Sequence, residues 1–178
     1  MPDHPSQCPP IPADYPSRAL TLAQPDAANL PHIGLVGDTY TITASGADTG
    51  GRFCVIDMLV SPGGGPGPHR HDFEETFLLL EGEIDFTFRR QKYPGRAGAT
   101  VNVPSNAPHQ FCNAGSQPAR TICICAPAGN DQFFLKVGTP VPTRATAPPK
   151  LNQSEMAEFL PKAKGLAREY RTGLQGPS

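Results

Sequence analysis

The octapeptide SPGGGPGP at 61–68 can hardly be helical, and it lies between two runs that read as strands. Before it comes RFCVIDMLV (52–60), an apolar strand, and before that TYTITAS (39–45), which alternates β-branched and small residues. The turn cluster GADTGG separates those two. After the octapeptide come FLLL (77–80), EIDFTFR (83–89), a Pro/Gly turn at 94–98, ATVNVP (99–104), HQFCN (109–113) and ARTICICA (119–126). Seven or eight short strands with Gly, Pro and Asn between them predict an all-β sandwich or closed barrel. In EIDFTF the alternation places Ile84, Phe86 and Phe88 on one face, as a half-buried strand requires.

Composition agrees with that reading. Pro 22 and Gly 18 together are about twice the usual share, which favours a turn-rich chain with irregular tails over a helical bundle. At 178 residues the chain suffices for one well-buried domain and is short for two. Its formal net charge of -1 offers no basic field for a phosphate backbone, so no nucleic-acid partner is expected. No apolar run approaches the roughly 20 residues that span a bilayer, and the first residues lack a signal peptide's charged and apolar regions. A soluble, cytoplasmic protein without a membrane partner is the expectation.

Outside the barrel, residues 1–34 read as a Pro-rich extended arm and 35–128 as the barrel. Residues 129–178 read as a short helix, a Pro-rich linker and a C-terminal helix. Asn130 or Asp131 is the expected N-cap of the short helix, which Gly138 stops. In the C-terminal helix, Met156, Phe159, Leu160, Ala163, Leu166, Ala167 and Tyr170 recur at helical spacing, with Ser154 as the expected N-cap. Pro161 should kink that helix or split it, and its apolar stripe should pack on the barrel wall or on a second subunit.

The chemistry concentrates in two stretches. The first is Gly63-x5-His69-x-His71-x3-Glu75-x6-Gly82. Histidines at i and i+2 of a strand share a face, about 6.5–7 Å apart along the chain, close enough for both to reach one ion. Glu75 keeps their parity if the strand continues, whereas Glu74 has the opposite parity and should face solvent. The second stretch, Gly98-x5-Pro104-x-Asn106-x2-His109-x3-Asn113, supplies the fourth ligand, His109. Three neutral nitrogens and a carboxylate suit one divalent transition metal (Fe, Mn, Ni, Cu, Co or Zn) far better than Ca or Mg. Four protein ligands on an octahedral ion leave two positions open, as a catalytic metal needs. His4 and His32 read as surface or hydrogen-bonded histidines.

Five cysteines (Cys8, Cys54, Cys112, Cys123 and Cys125) show no paired framework. Cys123 and Cys125 read as small buried hydrophobes, Cys54 as a buried structural thiol, and Cys112 has the wrong parity to meet the metal. By parity with the ligands, Phe73, Phe77, Leu79 and Phe111 should line the pocket beside them. Met58, Ile84, Phe86 and Phe88 are further candidates, and all double as ordinary barrel core. Arg70 points away, so no inward Arg awaits a dicarboxylate.

These two stretches resemble the two cupin motifs. The first fits at every fixed position; the second departs once, with Asn106 where the family usually has Gly, a turn position that Asn tolerates. One motif pair implies a single barrel of the double-stranded β-helix (jelly-roll) type, and single barrels of this family imply a homodimer. More locally, the chain is similar to the quercetin 2,3-dioxygenase-like branch. That likeness implies a metal-dependent dioxygenase acting on a small aromatic or enol substrate, with Glu75 as both ligand and catalytic base. A metal-dependent isomerase or lyase, and a non-enzymatic small-molecule or metal binder, fit the same residues, because fold does not settle function. The chain carries no DNA-binding helix pair.

Overall fold

The computed structural model describes residues 10–147 and 151–174, which form two antiparallel sheets and two helices. His4 and Cys8 lie outside the described residues. The strands are β1 (His32–Leu35), β2 (Asp38–Ala44), β3 (Cys54–Val60), β4 (His69–His71), β5 (Glu74–Glu81), β6 (Glu83–Phe88) and β7 (Gln91–Arg96). They continue with β8 (Thr100–Val103), β9 (His109–Cys112), β10 (Ala119–Ala126), β11 (Thr139–Pro140) and β12 (Thr172–Leu174). The helices are α1 (Asn130–Val137) and α2 (Gln153–Glu169). One sheet has the order β11-β1-β2-β3-β10-β5-β8 and the other β12-β4-β9-β6-β7. The architecture is an all-β barrel of two facing antiparallel sheets with a C-terminal helix.

The core lies between the sheets. Ile56, Met58, Phe77, Leu79, Ile84 and Phe86 are each almost wholly buried there, from alternating positions of β3, β5 and β6. β10 also alternates, but it turns its small side chains inward: Ala119, Thr121, Cys123 and Cys125 are buried, while Ile122 and Ile124 are only partly covered. Small inward residues leave room beside the ligands that β5 and β9 carry.

Several local expectations are corrected. β1 begins at His32, inside the stretch read as arm, and pairs with β2 around the two-residue turn Val36–Gly37. Both turn residues have positive φ (48 and 93), a backbone that β-branched Val rarely adopts, which is why the hairpin carries no sequence signal. Arg89–Arg90 makes a similar turn between β6 and β7. Pro94 and Gly95, read as a turn, sit inside β7; that strand ends the sheet, where a missing backbone donor is tolerated.

The helices also differ in detail. α1 is capped by Gly129, and Asn130 and Asp131 are spent on tertiary contacts, Asp131 accepting from the Gly46 and Gly129 amides at 2.9 and 3.1 Å. The N-cap of α2 is Asn152, two residues before Ser154, and Asn152 and Glu155 form a reciprocal capping box. The helix runs unbroken through Pro161. Ala163 and Ala167 are buried beneath it, and the chain beyond is held as β12, so the loss of one backbone donor does not split it.

Candidate metal centre

β4 and β9 lie side by side, with His69 directly opposite His109. His71 follows two residues on, on the same buried face, and the exposed Arg70 between them points outward. The strand does not continue to Glu75. The chain bends at Asp72–Phe73 and crosses from one sheet to the other, so Glu75 enters from β5. The four side chains thus meet where the sheets face each other, and one donor atom from each lies within 4.8 Å of the others. Glu74, by contrast, is exposed and accepts hydrogen bonds from Asn102 and the Ser105 amide. Asn106 adopts φ 64 in the turn before His109, and its amide donates to the His71 carbonyl at 2.6 Å.

Each histidine is aimed by its Nδ1. His69 donates to the Gly67 carbonyl at 2.9 Å, His71 to Phe73 at 3.1 Å and His109 to Ala107 at 2.9 Å. That fixes the tautomer and presents Nε2 to the centre. The Nε2 atoms of His71 and His109 stand 3.0 and 3.1 Å from Glu75 Oε2. Both rings therefore face acceptors at both nitrogens, an arrangement that a neutral imidazole cannot satisfy alone and that a cation at the centre satisfies. The donor set fits one divalent transition metal.

The electrostatics follow from this packing. Burial works to raise the Glu75 pKa, but hydrogen bonds from His109 and His71 outweigh it and hold the carboxyl well below its usual range. Burial works to lower His109, and its bond to Glu75 outweighs that and lifts it. His69 has no such partner; burial and the neighbouring His109 push it down to about 4.

Beside the centre lies a cavity of about 200 Å³. His69, His71 and Glu75 form part of its wall, together with Met58 and Phe111 from the barrel. Phe73, Phe77 and Leu79 do not line it. Phe73 is stacked behind His71, and Phe77 packs against Phe86 and Phe111 deeper in the barrel. Leu79, on the same face of β5, continues that inner layer. Parity placed those side chains on the inner face, but depth along the strand decides which of them meet the cavity.

The rest of the wall comes from residues that motif reading passes over. Tyr40 and Asp38 enter from β2, and Phe133, Phe134 and Val137 from α1. Met156, Phe159, Leu160 and Ala163 of α2 close the outer side. Leu174 and Thr172 of β12 complete it, standing opposite His69 and His71 across the β4 edge. The helical stripe of α2 was the available signal, since an apolar face on a helix must cover something. Asp38 is buried and accepts from the Ser61 and Gly65 amides at 2.9 and 2.8 Å, which pins the octapeptide loop leading to His69.

A second feature was also missed. Cys123 donates to Glu75 Oε1 at 3.2 Å, and Cys125 lies 3.9 Å from the same oxygen. Both are fully buried, as small hydrophobes would be, but they face a charged ligand. Burial pushes the Cys123 thiol up to about 12, so its sulfur keeps the proton it donates. Cys54 is likewise buried and does not line the cavity, and Cys112 is exposed.

Residues 56–125 match the family profile described as cupin domain. Over 108 residues, 60% of this chain and 32% of the relative, the sequence is 28% identical to quercetin 2,3-dioxygenase of Bacillus subtilis. It is 26% identical over 85 residues to the polyketide synthase CurC of Streptomyces cyaneus, covering 47% of this chain and 55% of that protein. The chain thus spans between about a third and about half the length of these relatives. Among solved structures, the polyketide cyclase RemF of Streptomyces resistomycificus is similar with a TM-score of 0.54 and 18% identity, over 83% of this chain and 99% of that one. No helix among the described residues is long and apolar enough to cross a membrane. Profile, sheet topology and the histidine–glutamate cluster agree: residues 56–125 are similar to a cupin domain, and the chain more widely to quercetin 2,3-dioxygenase of Bacillus subtilis.

Proposed function

We propose that this protein is a metal-dependent dioxygenase of the quercetinase-like kind, acting on a small aromatic or enol substrate. The observation that carries the proposal is that His69, His71 and Glu75, three members of the histidine–glutamate cluster, stand in the wall of a cavity that is otherwise mostly apolar. A divalent transition metal held by His69, His71, Glu75 and His109 would supply a Lewis acid for an enolate oxygen and a redox partner for dioxygen. The remaining work falls to the chain. Met58, Phe111, Phe133 and Phe134 offer faces for a planar ring, and α2 shields the cavity from water. Glu75, held as a carboxylate, accepts the proton that the substrate hydroxyl gives up on binding. Among the described residues no arginine lines the cavity, which disfavours a dicarboxylate substrate.

Oxygen uptake by metal-loaded protein across a panel of flavonols and related enols tests the proposal. Uptake that disappears in His69→Ala supports it, and a loaded protein that consumes no oxygen with any of them overturns it. A second reading, an isomerase or lyase working on a similar enol without dioxygen, uses the same four ligands. Turnover that persists under anaerobic conditions selects that reading.

A further inference from the structure

The two oxygens of Glu75 sit in different chemical settings. Oε2 faces the Nε2 atoms of His71 and His109 at 3.0 and 3.1 Å. Oε1 faces the opposite way, into β10, where the Cys123 thiol donates to it at 3.2 Å. The arrangement behind that thiol is built from three elements. Cys125 stands directly across from Glu75 in the β10–β5 ladder, with its sulfur 3.6 Å from that of Cys123. The side-chain amide of Asn130, in the first turn of α1, donates to the Cys125 sulfur at 3.5 Å. None of the four residues is more than 5% exposed, so no water competes for these contacts.

We propose that Cys123 is a positioning residue for the metal centre: by holding Oε1, its thiol presents Glu75 to the ion through Oε2 alone. The proposal rests on the reading of the four residues as a metal centre and on no particular reaction. A carboxylate that bound through both oxygens would occupy one more position on the ion and leave one fewer for substrate or dioxygen. A thiol suits the task because it is a weak, uncharged donor small enough to stand against the carboxylate at 3.2 Å. It restrains the oxygen without adding a charge that would compete with the metal. If Cys123 were only core filler, replacing it would create a small void and leave the ion's surroundings unchanged.

The test uses Co(II) as the probe in the full chain. Metal affinity is measured by chelator competition, and coordination is read from the visible absorption of bound Co(II). The separation of the carboxylate stretches in the infrared difference spectrum on metal loading gives a further reading. In the wild-type protein that separation should be the wide one of a one-oxygen carboxylate. Cys123→Ala and Cys123→Val, which remove the donor with and without a void, should both weaken Co(II) binding by about tenfold and alter its absorption. Cys123→Ser, which restores a donor, should recover the wild-type spectrum. Wild-type affinity and spectrum in whichever of the Ala and Val variants folds would overturn the proposal. So would a two-oxygen infrared signature in the wild-type protein, which needs no variant. Wild-type protein that fails to bind Co(II), or any of the metals named above, overturns the metal reading along with it. Binding that is unaffected by Cys123 overturns this inference alone.

Discussion

The ring of Phe73 lies flat against the imidazole of His71, with centroids 3.8 Å apart and planes 3° from parallel. The Phe73 carbonyl accepts the His71 Nδ1 proton at 3.1 Å. One residue therefore sets both the plane of the ligand ring and its tautomer, through side chain and backbone respectively. Phe73→Ala removes the first and keeps the second. It should destabilise the fold by about 3 kcal/mol, as truncation of a buried Phe does, and weaken metal binding by about tenfold through the freed ring. Phe73→Leu retains most of the burial but not the flat face. It should cost less than about 1.5 kcal/mol in stability while still weakening the metal. Urea midpoints and chelator competition on the two variants separate these effects. Equal metal affinity in Phe73→Leu and wild type would show that the stack does not orient His71.

The metal-free protein should respond to pH through two histidines whose shifts oppose each other. The folded pKa of His69, about 4, lies below its ordinary value near 6.5. Between those values the unfolded chain binds a proton that the folded chain does not. Stability is therefore lost as pH falls through that window, by on the order of 3 kcal/mol. His109 is shifted upward, so its contribution is full below its ordinary pKa and is lost as pH rises through the folded one. Glu75, shifted downward, contributes fully above the ordinary carboxyl range and loses that contribution progressively as pH falls below it. Urea unfolding of the metal-free protein at a series of pH values checks this. His69→Asn should flatten the branch between about 6.5 and about 4, and His109→Asn should flatten the branch above it. Parallel curves for wild type and His69→Asn in the lower window would contradict the assignment.

The shared face of His69 and His71 was legible because strand parity is a local rule: residues two apart share a face whatever the rest of the chain does. His109 was legible through the second motif stretch that carries it. The turn at Asn106 was legible through the resemblance of that stretch, which places Gly there, and Asn is a residue that tolerates the positive φ it adopts. What escaped was set by tertiary pairing. Thr172–Leu174 has no alternation of its own and is a strand only because β4 leaves an open edge. Cys123 and Cys125 were read correctly as buried, but burial does not reveal that a carboxylate lies opposite. That depends on the register of β10 against β5. The turns at Val36–Gly37 and Arg89–Arg90 use residues that local propensity places elsewhere, so the neighbouring strands impose them.

The outer wall of the cavity makes a separate prediction. Phe159 and Leu160 belong to α2 and are partly exposed to solvent, so truncating them should cost the fold little. Their loss should instead remove apolar surface that a bound ring would cover. Phe159→Ala and Leu160→Ala should each weaken binding of a flavonol by about tenfold, the cost of one large apolar contact. Metal content should be unchanged. Fluorescence quenching titrations with quercetin, alongside elemental analysis, give both numbers. Unaltered flavonol affinity in both variants would remove α2 from the substrate site.

The octapeptide loop allows the demands on three glycines to be separated. Gly67 lacks positive φ, and a Cβ added there meets no atom within 4 Å, so Gly67→Ala should be close to neutral. Gly63 has φ +77 but equally open surroundings, so Gly63→Ala should cost only the left-handed backbone penalty, roughly 1 kcal/mol. Gly65 combines φ +119 with a Cβ that would stand against the carbonyl oxygen of Phe111, too close for any atom. Its amide also donates to the buried Asp38, so the loop cannot shift without breaking that bond. Gly65→Ala should therefore cost well over about 2 kcal/mol, more than the backbone term alone. It should also weaken metal binding, because the displaced strand β9 carries both Phe111 and His109. Urea unfolding and Co(II) titration of the three variants form an ordered series. A Gly65→Ala variant no worse than Gly63→Ala in both measurements would mean that the loop does not press on β9 as the structure places it.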